Sequence, residues 1–166
     1  MASVLEVLQD EGFKISPHKA QLGKPTVQYP GYTISQGKKD MSDDRCSAIS
    51  SMPRPVNVRG VRKVMRLFNY CRNFMPGFSA LVAPIQTLIK GWEPPLEAVE
   101  EKAFTNIKKA LVSAPPLGLP DAARPFHLYC SNEGGYYNAV VVQDHEGSGR
   151  LEAYYSTKQD PVALQL

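Results

Sequence analysis

Long apolar runs are missing from this sequence: nowhere does it approach the roughly 18 consecutive apolar residues that a membrane-spanning helix requires. Its start, Met1 to Asp10, is a short amphipathic segment without the basic stretch that opens a secretory signal, so neither a leader nor a membrane partner is expected. Cysteine is scarce as well. Cys46, Cys71 and Cys130 are odd in number and far apart, without a CxxC pair and without a histidine at metal-ligand spacing. That pattern supports neither a disulfide framework nor a zinc site, and a reducing intracellular compartment, cytoplasm or nucleus, fits it. No cofactor is implied. The third absence is local and more informative: from Arg45 to Trp92 there is no Asp or Glu, against eight Lys and Arg.

That gap divides the chain electrostatically. Residues 1–92 carry 13 basic and 6 acidic side chains, net +7, whereas residues 93–166 carry 6 and 10, net −4. A positive first half favours a polyanionic partner and says nothing about sequence preference. With 166 residues and 43% hydrophobic content, the chain can bury one substantial core or two small ones.

Inside the acid-free stretch, Val58 to Phe74 has helical periodicity. Val61, Val64, Met65, Phe68 and Cys71 recur at three-and-four spacing on one face, and Arg59, Arg62, Lys63 and Arg66 recur on another. One face can pack and the other can meet phosphates, although a basic face by itself equally describes solvated surface.

Around this helix the sequence predicts an α+β organisation. Val4, Leu5 and Leu8 mark a short helix ended by Gly12; Phe13 to Ile15 and Thr26 to Ser35 read as strands, and Gly37 to Asp40 as a turn or loop tip. Ser42, Asp43 and Asp44 suit the cap and first turn of a helix to about Ser51, because side-chain oxygens there bind free amides and carboxylates complement the dipole. Pro53-Arg54-Pro55 ends that element, and Asn57 is the expected cap of the basic helix, which runs to near Phe74. A third helix spans about Ser79 to Ile89, and Trp92 to Pro95 reads as a linker. An amphipathic helix from about Leu96 to Val112 follows, then an extended connection, Ala114 to Pro120. Alternation at Phe126, Leu128 and Cys130, with strand-forming runs at Tyr136 to Gln143 and Leu151 to Tyr155, gives a three-stranded antiparallel meander. The Leu96 to Val112 helix is its expected cover. Glu133, Asp144, Glu146 and Glu152 read as solvated carboxylates rather than a metal cluster.

Three ordered segments then carry a resemblance: Tyr29-Pro30-Gly31-Tyr32-Thr33-Ile34-Ser35, Asn69 to Ser79 (NYCRNFMPGFS) and Ala114 to Asp121 (APPLGLPD). Together they resemble retroviral reverse transcriptase of the gammaretroviral and endogenous-retroviral kind, and Ser156 to Ala163 (STKQDPVA) is similar to a segment of that family's connection domain. The resemblance implies that residues 1–37 are the end of the palm, 38–92 the thumb and 93–166 a truncated connection with a degenerate RNase H-like fold. It implies a primer-grip hairpin at Tyr29, Gly31 and Tyr32. It also implies a thumb helix whose Arg59, Arg62, Lys63 and Arg66 meet the template-primer duplex. The family's YxDD turn does not occur here, and Ser131-Asn132 stand where relatives often carry Asp-Glu, so no catalytic or metal-binding residue is assigned and activity is not expected from this chain alone. Pro30, Gly60 and Arg66 depart from the family's usual residues. Tyr70 and Phe74 fit either stacking on nucleic acid or core packing.

Three readings follow. The chain is a catalytically incomplete, Pol-derived fragment that retains sequence-independent affinity for an RNA/DNA or DNA duplex. Alternatively it is a domesticated interaction module whose open sheet takes a strand from the rest of Pol or another protein, or a relic without selected function.

Overall fold

The computed structural model of the protein describes residues 2–14, 16–91, 98–145 and 147–160. The fold is α+β, with two antiparallel sheets and a group of helices between them in sequence. After helix α1 (Ala2–Asp10), strands β1 (Thr26–Tyr29) and β2 (Tyr32–Ser35) form a hairpin closed by the Tyr29 and Tyr32 pair. Proline followed by Gly31 at φ 80° gives the turn residues a type II turn uses. The strand expected at Phe13 does not form: Phe13 and Lys14 are irregular and exposed, while Ile15 lies outside the described residues.

The expected loop tip at Gly37 to Asp40 is also corrected. Gln36 and Gly37 are both left-handed, at φ 50° and 71°, which makes the tight hairpin turn, and β3 (Lys38–Met41) then pairs with β2. Polar composition disguised this strand, whose one buried side chain is Met41. Leu117 and Gly118, expected as plain connection, form the two-residue strand β4 against Lys39 and Lys38.

Helix α2 (Asp43–Ser50) starts at Ser42, whose Oγ accepts the Arg45 amide at 3.3 Å. Helix α3 (Val58–Tyr70) is capped by Asn57, whose Oδ1 accepts the Gly60 amide at 2.8 Å. It ends earlier than the periodicity suggests, passing into a 3-10 turn at Arg72–Phe74 that keeps Cys71 and Phe74 in the core. Helix α4 (Phe78–Thr87) and helix α5 (Ala98–Val112) follow; Trp92 to Leu96, the expected linker and helix start, lie outside the described residues.

One apolar cluster joins these elements. Val61, Val64, Met65 and Phe68 of α3 meet Val82 and Ile85 of α4, Phe104, Ile107 and Leu111 of α5, and Tyr32, Met41 and Leu117 of the first sheet. The cluster therefore draws on all three segments read in the sequence, 1–37, 38–92 and 93–166.

The meander is present as β5 (Phe126–Glu133), β6 (Tyr136–His145) and β7 (Ser148–Lys158). Its cover differs from expectation. α5 packs against α4 and α2, because the chain leaves it directly into β4 and is tied there to the first sheet. The second sheet instead docks through β7 onto α4, β4 and the Arg72–Phe74 turn. Ser79 fixes the contact: its amide donates to Ser156 Oγ at 2.6 Å and its hydroxyl to the Ser156 carbonyl at 2.8 Å. Every residue of β5 stays exposed.

Two polar residues are buried in this sheet. Gln143 holds the 121–124 turn on β6, its Oε1 accepting the Asp121 amide at 2.8 Å and its Nε2 donating to the carbonyls of Asp121 and Arg124. Glu152, read in the sequence as solvated, is 7% exposed. The register shifts between Val141 and Val142, whose partners are Ala153 and Leu151, so Glu152 is the extra residue of a bulge and turns inward. Glu133 and Asp144 are exposed as expected, and Glu146 lies outside the described residues. Among the described residues, no cluster of His, Cys, Asp and Glu could hold a metal, and no helix is long and apolar enough to cross a membrane.

Phe68 is fully buried and touches the Phe104 ring at 6.1 Å between centroids, so Phe68→Ala is expected to cost about 3–5 kcal/mol. Asn57→Ala, which removes one cap bond, is expected to cost about 1 kcal/mol. Urea unfolding of both variants checks the order; equal losses would contradict the placement of Phe68 at the centre of the core.

Candidate nucleic-acid interface

The basic helix displays its cations as its periodicity requires. At about 100° per residue, Arg59, Arg62, Lys63, Arg66 and Tyr70 fall within one sector of roughly 100°, opposite Val61, Val64, Met65 and Phe68. All four basic side chains are exposed, and among the described residues none has an ion-pair partner. Arg59 with Lys63 and Arg62 with Arg66 are like-charge neighbours one turn apart, each pair unfavourable by about 0.2–0.5 kcal/mol. Arg59 also stands in the first helical turn, where the dipole disfavours a cation. The stripe thus reduces the helix's own stability slightly and is relieved by an external anion.

Gly60 suits its place. A Cβ there would stand 3.2 Å from Pro55 Cβ and 3.3 Å from its Cα, so any side chain would press on the segment that leads into the cap. Arg66 lies on the open face beyond that crowding.

The far end of the stripe is joined to the β1–β2 turn. Tyr70 Oη donates to the Pro30 carbonyl at 2.9 Å, and Tyr32 Oη donates to the Tyr70 carbonyl at 3.1 Å. The Tyr32 ring stacks on Tyr70 at 5.2 Å and on Phe74 at 5.8 Å between centroids. The Arg45 guanidinium lies 4.3 Å from the Tyr70 centroid and presses against Gly31, where a Cβ would collide with it. Lys39 Nζ is 5.1 Å from the Tyr32 ring and 5.4 Å from that of Phe74. These contacts lock hairpin, α2, α3 and β3 into one unit.

The structure therefore sorts the residues that the sequence nominated. Arg59, Arg62, Lys63 and Arg66 form one exposed array. Tyr29 is 60% exposed beside the turn. Gly31, at φ 80°, makes the turn and leaves room for Arg45. Tyr32 is 9% exposed and belongs to the core, so its part is to position the hairpin. Tyr70, 46% exposed and in line with Arg66, is a surface residue of the same face that the sequence left undecided. Phe74, by contrast, is core. Arg45 and Lys39 were not nominated, because no local pattern announces a cation that will sit on a ring supplied by a different element.

The segments on which this geometry rests have known counterparts. Residues 96–165 match the family model of the RNase H-like domain found in reverse transcriptase. Over 161 residues the chain is 38% identical to the Pol polyprotein of feline endogenous virus ECE1, covering 96% of this chain and 15% of that protein. It is 39% identical over 162 residues to the Gag-Pol polyprotein of feline leukemia virus, covering 97% of this chain and 10% of that one. The chain is related to the reverse transcriptase and RNase H-like region of retroviral Pol polyproteins. It spans a small part, 9% to 15%, of the curated Pol relatives it matches. The fold agrees: the foamy viral protease-reverse transcriptase, solved with an RNA/DNA hybrid, superposes with a TM-score of 0.82 at 22% identity, over 98% of this chain and 22% of that one.

Burial pushes the Tyr32 phenol well above its ordinary range, reinforced by Cys71 and Tyr70 and opposed by Arg45. The folded protein holds this proton more tightly than the unfolded chain does. The contribution is complete below the unfolded pKa near 10 and is lost as pH rises above it. The stability difference between the native protein and Tyr32→Phe should be constant below about pH 9. Above about pH 10 it should shrink, by up to ~1.4 kcal/mol per unit. Denaturant midpoints across this range check it; a difference that stays flat to about pH 11 would contradict a buried, neutral Tyr32.

Proposed function

We propose that the α3 face is a sequence-independent docking surface for a nucleic-acid duplex, RNA/DNA or DNA, in a Pol-derived chain whose palm-like, thumb-like and connection-like parts are residues 1–37, 38–92 and 93–166. The observation that carries this reading is the unpaired array of Arg59, Arg62, Lys63 and Arg66 on a rigidly mounted helix. A rise of about 1.5 Å per residue places Arg59 and Arg66 roughly 10 Å apart, so the array spans more than one phosphate spacing of a duplex. Solved relatives in complex with double-stranded DNA and with an RNA/DNA hybrid support the class of ligand. Cations on one helical face position a duplex through its backbone and do not read bases. Tyr29 and Tyr70 extend the surface with rings that pack against sugars. Arg66, where the family usually has glycine, adds a cation to the array.

The variant Arg59→Glu, Arg62→Glu, Lys63→Glu tests this by fluorescence anisotropy of a labelled hybrid. Binding should fall by at least about 100-fold at low salt, while thermal stability stays within about 0.5 kcal/mol of the native protein, since positions 59 and 63 remain a like-charge pair, position 62 becomes attractive to Arg66 and a carboxylate at position 59 suits the first helical turn. Unchanged affinity in the folded variant would overturn the proposal.

A second reading, protein interaction, is favoured by β5 alone. It is exposed at every residue, including Phe126, Leu128 and Tyr129, and it forms the edge of its sheet. Such an edge invites strand addition. Under that reading size-exclusion chromatography shows self-association as concentration rises; a monomer throughout speaks against it.

A further inference from the structure

We propose that the cleft between β3, the end of β6 and the start of β7 is a binding site for a phosphate group, distinct from the α3 surface. Lys38, His145, Ser148, Gly149 and Arg150 line about 390 Å³ of open space, and among the described residues no carboxylate lines it. The wall is mostly polar, which suits an oxyanion and not an apolar ligand.

Arg150 is the best-prepared donor. Its methylenes lie over Gly118, where any Cβ would collide with them, and one guanidinium nitrogen donates to the Gly37 carbonyl at 3.2 Å. That bond orients the fork and leaves its remaining N–H groups available for two parallel bonds to phosphate oxygens. Lys38, exposed on the neighbouring strand, adds a second fixed positive charge. Ser148 Oγ, which donates to the His145 carbonyl at 2.9 Å, lies in the same wall.

Glu152 stands behind the cleft. It is buried, neither carboxylate oxygen has a hydrogen-bond partner among the described residues, and His145 Nε2, likewise without one among them, lies 4.0 Å from Oε1. Burial raises the Glu152 carboxyl, while Arg150, His145 and Lys39 pull it down. Glu152 is not among the residues that line the cleft. Among the described residues, Lys38 and Arg150 line the mouth, Glu152 lies behind it and exposed Asp144 accepts the Gly147 amide outside the lining, so the wall that meets an arriving anion carries positive charge. Both a duplex backbone and free phosphate present this chemistry.

The test is an amide-resolved NMR titration of the full chain with inorganic phosphate, alongside Lys38→Gln, Arg150→Gln and the milder Arg150→Lys. Saturable shifts confined to residues around Ser148, Gly149 and Gly37 are expected. They should weaken at least about tenfold in the double Gln variant, weaken less in Arg150→Lys, and be unchanged in the α3 charge-reversal variant. The last control separates this site from the docking surface. A hybrid titration of the double variant identifies the source: weaker hybrid binding assigns the backbone phosphate, and unchanged hybrid binding with lost phosphate shifts assigns the free ion. No saturable shift by phosphate in the folded native chain, with hybrid affinity unaltered in the variants, would overturn the site.

Discussion

Tyr32, stacked between Tyr70 and Phe74 with its hydroxyl bonded back to α3, is the contact on which the arrangement of the first half depends. There the β1–β2 hairpin, α3 and the following turn share one set of rings, and Arg45 and Lys39 lie against those rings from α2 and β3. Stacked aromatic pairs contribute about 0.5–1.5 kcal/mol each beyond their burial, and the cations add further attraction where they are partly desolvated. The result is more than stability. Because Tyr70 bonds to Pro30 at one end of the helix, the direction of the basic stripe is fixed relative to the hairpin turn.

Charge is distributed so that packing and attraction do not compete. The cations that stabilise the joint, Arg45 and Lys39, lie over aromatic faces, whereas those of α3 point away from the core and lack partners among the described residues. On the opposite side of β3, Lys38 and Arg150 form a second, smaller positive surface where the two sheets meet. Both surfaces sit on elements held by tertiary contacts and not on loose loops. Rigid mounting lowers the ordering entropy that any ligand must overcome.

Much of this was legible in the sequence where local chemistry decides the outcome. Asn57 and Ser42 cap the helices they were expected to cap, and the three-and-four spacing of Val61, Val64 and Phe68 located the buried side of α3 along with its exposed cations. The meander followed from alternation and its glycine turns. What escaped was non-local. β4 is two residues long and exists only because β3 offers an edge, and β3 itself begins with charged residues that read as loop. Glu152 is inward because of a bulge that no alternating pattern foretells. Tyr32 looked like a presented aromatic in a turn motif and is instead held in the core by rings distant in sequence. The cover of the second sheet was misassigned because amphipathicity tells that α5 packs, not on what.

The central claim is that α3 presents charge to a phosphate backbone, and the most direct measurement is the salt dependence of hybrid affinity for the unmodified chain. Four phosphate contacts predict a straight line of log affinity against log salt with a slope of about −3.6 for a duplex, steeper if the second surface also engages. A folded chain that binds without salt dependence, or fails to bind a hybrid at low salt, would contradict the account.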